Sequence, residues 1–374
     1  MTSARKTQSA GRVLILVPDL HGRGGVVNYF NTLRLHELCA VEYFYVNSAD
    51  RQPLLKALWR VSTSACSLAV KLLTNRYDLV HVNPSLNPRS FFRDGLFVLL
   101  AAVSRTPTVV FFRGWDDRFA STIERSRWLR GFFRMTYGRC RNFIVLGEVF
   151  EQRLRTLGIG AARIWTETTV ADARPGHDEK ARAKVDAPRK EMIVLFMSRL
   201  LVSKGALIAI DAVRRYQASK PAGAAPLRLW IAGTGDDEQR VKQYVESNHL
   251  DFVEFLGHVE GAAKWSALET AHLFLFPTCY PEGMSNAVLE AMIHALPVIT
   301  RDEGSMAEIV KNDVNGFVTS STDPAVFADY LRALVADTEL YRRMAIGNLD
   351  GAMRRYARAE VANRILKIYA EIRR

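Results

Sequence analysis

Short apolar runs alternate with helical patterns along the chain, and this alternation constrains the fold more than any other feature. The runs of the first half are Val13–Val17, Val41–Val46, Leu79–Val82, Val109–Phe112 and Phe143–Val145. Those of the second half are Ile193–Met197, Leu227–Ala232, Val253–Phe255, Leu273–Phe276 and Pro297–Thr300. Buried parallel strands separated by helices give this pattern. The sequence therefore predicts an α/β protein with two doubly wound, Rossmann-like sheets.

The two series of strands are separated by a polar, proline-bearing stretch at 173–190, which has the composition of an interdomain linker. With 374 residues the chain also fits two domains better than one. We predict an N-terminal domain over 1–172 and a C-terminal domain over 191–355. The carboxyl ends of the two sheets are expected to face each other across a cleft, since ligands of open α/β sheets bind at that edge.

Membrane spans, disulfides and metal sites are not indicated. The longest apolar run, 95–103, is about half of what a membrane span needs. Residues 1–12 are polar and lack the apolar core of a secretory signal, so we expect a cytoplasmic protein. The cysteines form no CxxC pair, and we expect them to be reduced and mostly buried; they are Cys39, Cys66, Cys140 and Cys279.

Positive charge is concentrated in the first half of the chain. Residues 1–180 contain 26 Lys and Arg against 15 Asp and Glu, a net charge of +11 out of the +12 of the whole sequence. The second half is close to neutral. The first half is therefore expected to meet something anionic.

One stretch of the second half, PTCYPEGMSNAVLEAMIHALPVIT at 277–300, combines a loop with the start of a helix. Ser285 or Asn286 can cap that helix, and Glu290 falls about one and a half turns into it. Its carboxylate and that of Glu282 would then lie on the order of 10 Å apart. This separation roughly matches the span from ribose to sugar in a nucleotide-diphospho-sugar, and the helix N-terminus between them offers N–H groups to a diphosphate. Two solvated helix-end charges are the alternative interpretation.

The same stretch resembles the retaining glycosyltransferases of family 4, and so do FMSRLLVSKG, LWIAGTGDD, VEFLGHV and EIVKNDVNGFV in the same half. The resemblance implies the GT-B fold, with a C-terminal helix at about 356–374 returning to the N-terminal domain. Its E-x7-E element matches Glu282, which it assigns to the hydroxyls of the donor sugar, and Glu290, which it assigns to the ribose. The residues between them are also assigned to the nucleotide sugar; they are Gly283, Met284, Ser285 and Asn286.

The resemblance implies roles for other residues of the second half. Arg199 and Lys204 would neutralise the diphosphate leaving group. Gly233, in a Gly-x-Gly turn, would form a wall of the nucleotide site. His258 lies in the segment that would touch the base, through its backbone rather than as a general base. Ser198 stands where the family usually has glycine, which is a departure from the pattern.

In the first half, Gly24 and Gly25 resemble the family's glycine pair, where the backbone approaches the diphosphate or the acceptor. Arg113 stands where family members often carry a histidine near the donor sugar. Its guanidinium could grip a carboxylate, which would indicate a uronic-acid donor or an acidic acceptor. Alternatively, it pairs with Asp116 or Asp117 and braces the loop. Because two adjacent aspartates are not the spaced D-x-D of a metal site, we expect no metal requirement.

These features predict a retaining glycosyltransferase of the hexosyltransferase class, which uses a nucleotide-diphospho-sugar such as a UDP-sugar as donor substrate and needs no cofactor. Glu282, Arg113 and Asp116 are the candidate catalytic residues. The alternatives are a nucleotide-sugar epimerase or sugar phosphorylase of the same fold, or a basic nucleic-acid-binding protein. No recognised nucleic-acid reader motif is present, which argues against the last. A G-x-G-x-x-G turn after the first strand, expected of a dinucleotide-dependent oxidoreductase, is also missing.

Two basic segments of the first half contain large apolar residues. The stretch Pro53–Arg76 predicts a helix with an apolar stripe; its members are Leu54, Leu58, Val61, Ala65, Leu68 and Leu72. Residues 125–141 interleave arginines with Trp128, Phe132, Phe133 and Tyr137. A core-facing stripe and solvated arginines would give the same patterns. We expect peripheral binding to the anionic cytoplasmic face of a membrane, where transferases resembling this one often extend lipid-linked glycans in polysaccharide and lipopolysaccharide biosynthesis.

Overall fold

The computed structural model describes residues 11–22, 24–46, 54–174, 176–280 and 282–374. The described residues form two compact units. Unit 1 contains the chain up to Val170 together with Arg358–Arg374, and unit 2 is Ala171–Ala357.

The main sheet of unit 1 has six parallel strands in the order β2-β1-β3-β5-β7-β8. These strands are β1 (Val13–Val17), β2 (Val41–Tyr45), β3 (Leu79–Val82), β5 (Thr108–Phe111), β7 (Asn142–Val145) and β8 (Arg163–Thr166). A second, two-stranded sheet pairs β4 (Ser85–Leu86) with β6 (Gly114–Trp115). The helices of unit 1 are α1 (Gly25–Leu33), α2 (Leu54–Thr74), α3 (Pro88–Val103), α4 (Asp117–Arg125), α5 (Arg127–Met135), α6 (Glu148–Thr156) and, after unit 2, α15 (Arg358–Ile372).

Unit 2 repeats this architecture with six parallel strands in the order β11-β10-β9-β12-β13-β14. The strands are β9 (Met192–Met197), β10 (Leu227–Ala232), β11 (Val253–Gly257), β12 (Leu273–Phe276), β13 (Val298–Arg301) and β14 (Gly316–Thr319). The helices are α7 (His177–Asp186), α8 (Ala206–Ser219), α9 (Glu238–Ser247), α10 (Gly261–Thr270), α11 (Asn286–Ile293), α12 (Met306–Ile309), α13 (Pro324–Ala336) and α14 (Thr338–Arg355). The central strands β9 and β12 are buried throughout.

The predicted fold class is confirmed, because both halves of the chain form parallel sheets flanked by helices. The predicted return of the C-terminal helix is confirmed as well. Arg364 of α15 donates from Nε to both carboxylate oxygens of Glu167 at 3.0 Å. Tyr369 of α15 is hydrogen-bonded through its hydroxyl to Nδ1 of His81 at 2.5 Å, in the buried interior of unit 1.

Every strand predicted from the sequence is present, with ends that shift by one or two residues. The edge strands β8 and β14 were not predicted, because an edge strand is partly solvated and lacks a continuous apolar run. The stretch at 173–190, interpreted above as a linker, contains α7, which packs its buried residues Ala181 and Val185 into the core of unit 2. A helix in this position was not predicted.

One expectation about burial was wrong. Of the four cysteines only Cys140 is buried, whereas Cys66 and Cys279 are exposed. Helix α2 does form where the spacing predicted it, but its stripe is not uniformly buried. Leu68 is fully buried and Leu58 is 63% exposed, so the end of the helix near Leu58 presents apolar surface to solvent. Pro53 and the side chain of Leu54 lie outside the described residues.

In the part of the chain that the structure describes, no helix is both long and apolar enough to cross a bilayer.

Candidate functional site

Three loops of unit 2 meet at the carboxyl edge of its sheet, and glycines allow their close approach. A Cβ atom on Gly233, whose φ is 141°, would lie 1.9 Å from the carbonyl oxygen of Ser198. A Cβ atom on Gly205, whose φ is 85°, would lie 2.2 Å from the carbonyl oxygen of Pro277. Both positions therefore need glycine for conformation and for space. The loops after β9, β10 and β12, which carry most of the predicted donor residues, are packed against one another.

Helix α11 begins within this cluster of loops. Ser285 is its N-cap residue, as the sequence suggested, but no side chain among the described residues caps the helix. The carbonyl oxygen of Gly283 accepts hydrogen bonds from the hydroxyl and backbone N–H of Ser305, at 2.7 and 3.2 Å. The first-turn N–H groups of α11 are thus left without a side-chain cap, next to a loop that Ser305 holds in place.

The Glu282 carboxylate forms an ion pair with Lys204. Its Oε1 lies 2.5 Å from the Lys204 Nζ, and both side chains are nearly buried, at 12% and 8% exposure. The Thr278 hydroxyl donates to the same oxygen at 3.3 Å. The Tyr280 ring packs over the ammonium, 4.0 Å from Nζ to the ring centroid. Burial lowers the pKa of Lys204, and the Glu282 carboxylate opposes this shift.

The Glu290 carboxylate is also buried and paired. Its Oε1 accepts a hydrogen bond from Nζ of Lys264 at 2.8 Å, with 10% and 24% of the two side chains exposed. Lys264 lies on α10, the helix that follows the segment expected to touch the base. The sequence analysis did not identify Lys264, since nothing in its local pattern marks it. Glu282 and Glu290 therefore each face a lysine that is distant in sequence.

The other predicted donor residues line the same edge with fewer contacts. Arg199 is exposed, and its Cζ lies 5.9 Å from the ring centroid of Tyr280. His258 is exposed, with Nε2 3.3 Å from a carboxylate oxygen of Glu260. The backbone N–H of Gly233 donates to the carbonyl oxygen of the residue before His258 at 2.6 Å. This contact joins the loops after β10 and β11 through their backbones.

Unit 1 places its predicted glycines at the start of α1, at the carboxyl end of β1. Gly24 is the N-cap residue and has a φ of 149°. A Cβ atom on Gly24 or Gly25 would meet nothing within 4 Å. Unlike Gly233, Gly24 and Gly25 border open space. A ligand can approach the backbone of these two residues only because that space is free.

The aspartates near Arg113 have other partners. Asp116 caps α4, its Oδ1 accepting hydrogen bonds from the backbone N–H groups of Arg118 and Phe119 at 3.0 and 3.1 Å. Asp117 forms an ion pair with Arg153. The expectation that Arg113 pairs with Asp116 or Asp117 is therefore wrong. Within the described residues, no group of three or more His, Cys, Asp and Glu side chains is arranged to hold a metal ion.

Comparison with known proteins finds a family model that matches the second half of the chain. The family model described as glycosyl transferases group 1 matches residues 177–348, which include both ion pairs around α11. This stretch of the chain, 177–348, is therefore similar to that family. The six-stranded parallel sheets and returning C-terminal helix of the chain are those of the GT-B fold.

Curated proteins similar to this chain match about half of it. A phosphatidyl-myo-inositol mannosyltransferase from Mycobacterium leprae is 28% identical over 186 residues, which cover 50% of this chain and 48% of that protein. The putative colanic acid biosynthesis glycosyltransferase WcaL from Escherichia coli is 26% identical, covering 54% of this chain and 49% of that protein. The chain thus spans about half the length of the curated relatives it matches.

Solved structures match over nearly the whole chain. HepE from Anabaena, determined in complex with UDP and glucose, has a TM-score of 0.69 and 18% identity and covers 96% of this chain and 99% of its own. The lipopolysaccharide outer core galactosyltransferase WaaB, in its apo form, has a TM-score of 0.66 and 14% identity, with coverage of 96% and 99%. At these identities the likeness shows a shared fold.

Proposed function

We propose that this chain is a retaining glycosyltransferase that moves a sugar from a nucleotide-diphospho-sugar to an acceptor hydroxyl. The observation that carries the proposal is the two largely buried ion pairs around the uncapped start of α11, Glu282 with Lys204 and Glu290 with Lys264. Carboxylates accept hydrogen bonds from sugar hydroxyls, and a helix N-terminus binds a diphosphate. The arrangement therefore offers a group for each part of a nucleotide sugar.

The charged residues around the start of α11 each have a role in this proposal. Glu290 binds the ribose hydroxyls, and Glu282 binds the hydroxyls of the transferred sugar. Arg199, Lys204 and the N–H groups of α11 stabilise the charge that develops on the departing diphosphate. Because Lys204 is paired with Glu282, a diphosphate shares or replaces that carboxylate as the partner of the ammonium. The acceptor proton passes to the leaving phosphate, so no side-chain base is assigned.

The donor is proposed to be a UDP-sugar, and the acceptor a lipid-linked or polysaccharide glycan. HepE, which shares the fold, was determined with UDP-glucose. Relatives are named for phosphatidyl-myo-inositol mannosyl transfer, for colanic acid biosynthesis and, in Rhizobium meliloti, for lipopolysaccharide core biosynthesis. These names support an acceptor that is large or lipid-linked.

A peripheral location on the cytoplasmic face of a membrane is part of the proposal. Unit 1 exposes large apolar side chains in its basic segments: Trp128 is 68% exposed and its ring lies 5.5 Å from that of Phe92, while Leu58 and Trp59 on α2 are 63% and 72% exposed. Arg127 lies next to Trp128 and is also exposed. Aromatic rings and cations together favour the interface of an anionic leaflet.

Calorimetric titration with UDP, GDP, ADP and their sugar conjugates tests the donor site. One nucleoside diphosphate should bind, and a saturating amount, about a hundred times its dissociation constant, should stabilise the protein by roughly 2.7 kcal/mol. No binding by any of them would contradict the proposal. Incubation of the sugar conjugate with and without acceptor glycans then separates the activities, because an epimerase changes the donor without an acceptor and a phosphorylase requires inorganic phosphate.

Metal independence is tested with a chelator. Arg199, Lys204 and the helix N–H groups can neutralise the diphosphate without a divalent ion, so transfer should persist in saturating EDTA. Loss of activity that magnesium or manganese restores would contradict this and would make Asp116 and Asp117 candidate ligands.

A further inference from the structure

Unit 1 contains a guanidinium that is held on aromatic rings and has no carboxylate partner. The Cζ atom of Arg113 lies 3.9 Å from the ring centroid of Tyr29 and 4.4 Å from that of Phe111. Its Nε and Nη1 atoms are shielded from solvent and have no hydrogen-bond acceptor among the described residues. Burial lowers the pKa of Arg113 to about 10, so the side chain remains charged at neutral pH. A shielded charge without a counterion is costly, and such a local conflict marks a candidate functional site.

Three carboxylates that follow strands of unit 1 already have other partners. Asp116 caps α4, and Asp117 is paired with Arg153. Glu167, which follows β8, is held by Arg364 through two contacts of 3.0 Å. The Arg113 guanidinium is therefore left without a counterion among these carboxylates, at the carboxyl edge of the main sheet of unit 1.

The surroundings of Arg113 are suited to a polar ligand. Its backbone N–H donates to the carbonyl oxygen of Pro84 at 2.9 Å, which joins the ends of the neighbouring strands β3 and β5. Asn83, beside Pro84, has a shielded Oδ1 without a partner among the described residues. Tyr29 lies on α1, whose first residue, Gly25, borders open space. Arg113 is partly exposed as a whole residue, while its Nε and Nη1 atoms are shielded.

We propose that Arg113 is a specificity-determining residue that binds the carboxylate of an acidic sugar, carried by the donor or by the acceptor. The proposal rests on the proposed function and adds to it the chemical class of one substrate. A guanidinium pairs with a carboxylate through short, charge-assisted hydrogen bonds. A neutral sugar at the same place leaves the buried charge unpaired, and a site of this kind discriminates against it.

Titration calorimetry with two pairs of probes tests this inference and separates the two sources of the carboxylate. The donor pair is UDP-glucuronic acid and UDP-glucose, or GDP-mannuronic acid and GDP-mannose if guanosine is the base that binds. The acceptor pair is methyl glucuronide and methyl glucoside, titrated into protein saturated with the nucleoside diphosphate. The wild type should prefer the acidic member of one pair by about ten-fold or more.

Arg113→Met should abolish that preference and leave the affinity for the nucleoside diphosphate unchanged. Arg118→Met, which removes an exposed arginine of the same unit, is the matched control and should keep the preference. An equal loss of affinity for the acidic and the neutral probe would overturn the proposal, and so would the absence of a preference in the wild type. Failure of the nucleoside diphosphate to bind would count against the proposed function instead.

Arg113→Lys keeps the test decisive if the methionine variant unfolds. It retains the charge but loses the planar set of donors, so the acidic preference should fall several-fold. A preference identical to that of the wild type, in a variant with unchanged thermal unfolding, would show that the guanidinium does not contact the carboxylate.

Discussion

At the scale of single residues, substitutions of Glu282 and of Glu290 should have different effects on ligand binding and on turnover. Glu290→Ala should weaken binding of the nucleoside diphosphate and of the nucleotide sugar alike, by roughly 1.5–3 kcal/mol, because charge-assisted hydrogen bonds to the ribose are lost. Glu282→Ala should spare the nucleoside diphosphate and lower turnover. Calorimetry of both variants with both ligands checks this, and the reverse pattern would mean that the two roles are exchanged.

Lys264 should position Glu290 for the nucleotide. Lys264→Met removes the ammonium 2.8 Å from the buried carboxylate, so we expect about a ten-fold weaker affinity for the nucleoside diphosphate, and a higher KM with a smaller change in kcat. Lys242→Met is the matched control, since Lys242 lies the same 2.8 Å from Glu238 but in a more exposed pair on α9. Unchanged or tighter binding by Lys264→Met would contradict a positioning role.

Which site residues could be predicted from the sequence depends on how far apart they lie along the chain. Glu282 and Glu290 could be identified because they occupy one continuous motif around the start of a helix. Lys264 and Ser305 reach the same motif from α10 and from the loop after β13. Their relevance depends on tertiary packing, and no local pattern encodes it. Arg113 could be identified by its position in the sequence, but its lack of a counterion could not be predicted.

At the scale of elements, strands of the sheet interiors were predictable because burial on both faces requires continuous apolar runs. Helix α7 was not predictable from the sequence, because only a narrow face of the helix is apolar and the rest has the composition of a linker. Besides its buried apolar residues, α7 is attached to unit 2 by polar contacts, among them those of Lys184. Lys184 donates from Nζ to the carbonyl oxygens of Leu268, Ala271 and His294 at 3.3, 2.9 and 3.0 Å. These oxygens lie at the carboxyl ends of α10 and α11.

The contacts of Lys184 should make stability depend on pH. Burial lowers the pKa of Lys184 from 10.5 to about 7. Between these values the unfolded chain binds the proton more tightly than the folded one, so the free energy of unfolding should rise with pH above about 7, by up to about 1.4 kcal/mol per pH unit. Lys184→Met should lack this rise and should be less stable at pH 9, since it leaves the three carbonyl oxygens without a donor.

Urea unfolding of the wild type and of Lys184→Met from pH 7 to pH 9 measures this difference. A constant difference in the free energy of unfolding would show that the three carbonyl oxygens keep the ammonium charged despite its burial. Lys220→Met provides a control, because Lys220 follows α8 and contacts a single carbonyl oxygen, that of Ala224.

At the scale of the whole molecule, the basic and aromatic surface of unit 1 should bind anionic vesicles. Pelleting with phosphatidylglycerol vesicles should be strong at low salt and weak at high salt, because exposed charges are screened. Neutralising Arg127, Arg130 and Arg134 together should weaken it. Neutralising three exposed arginines of unit 2 should not; these are Arg240, Arg343 and Arg354.

The vesicle experiment also distinguishes membrane binding through charge from membrane binding through inserted side chains. Trp128→Ala should weaken binding at both salt concentrations, since the loss of an interfacial ring is not screened. Equal binding to neutral and anionic vesicles, or no binding at low salt, would indicate an enzyme that meets its acceptor in solution.

The path of the chain through the two units has a consequence for synthesis on the ribosome. Helix α15 belongs to unit 1 but emerges only after all of unit 2 has been translated. Until then His81 lacks Tyr369, Glu167 lacks Arg364, and Glu37 lacks its contact with Arg358. Unit 2 is contiguous and can complete its fold first, although unit 1 begins earlier. A nascent chain arrested just after Ala357 should accordingly resist protease in its second half and be cleaved in its first.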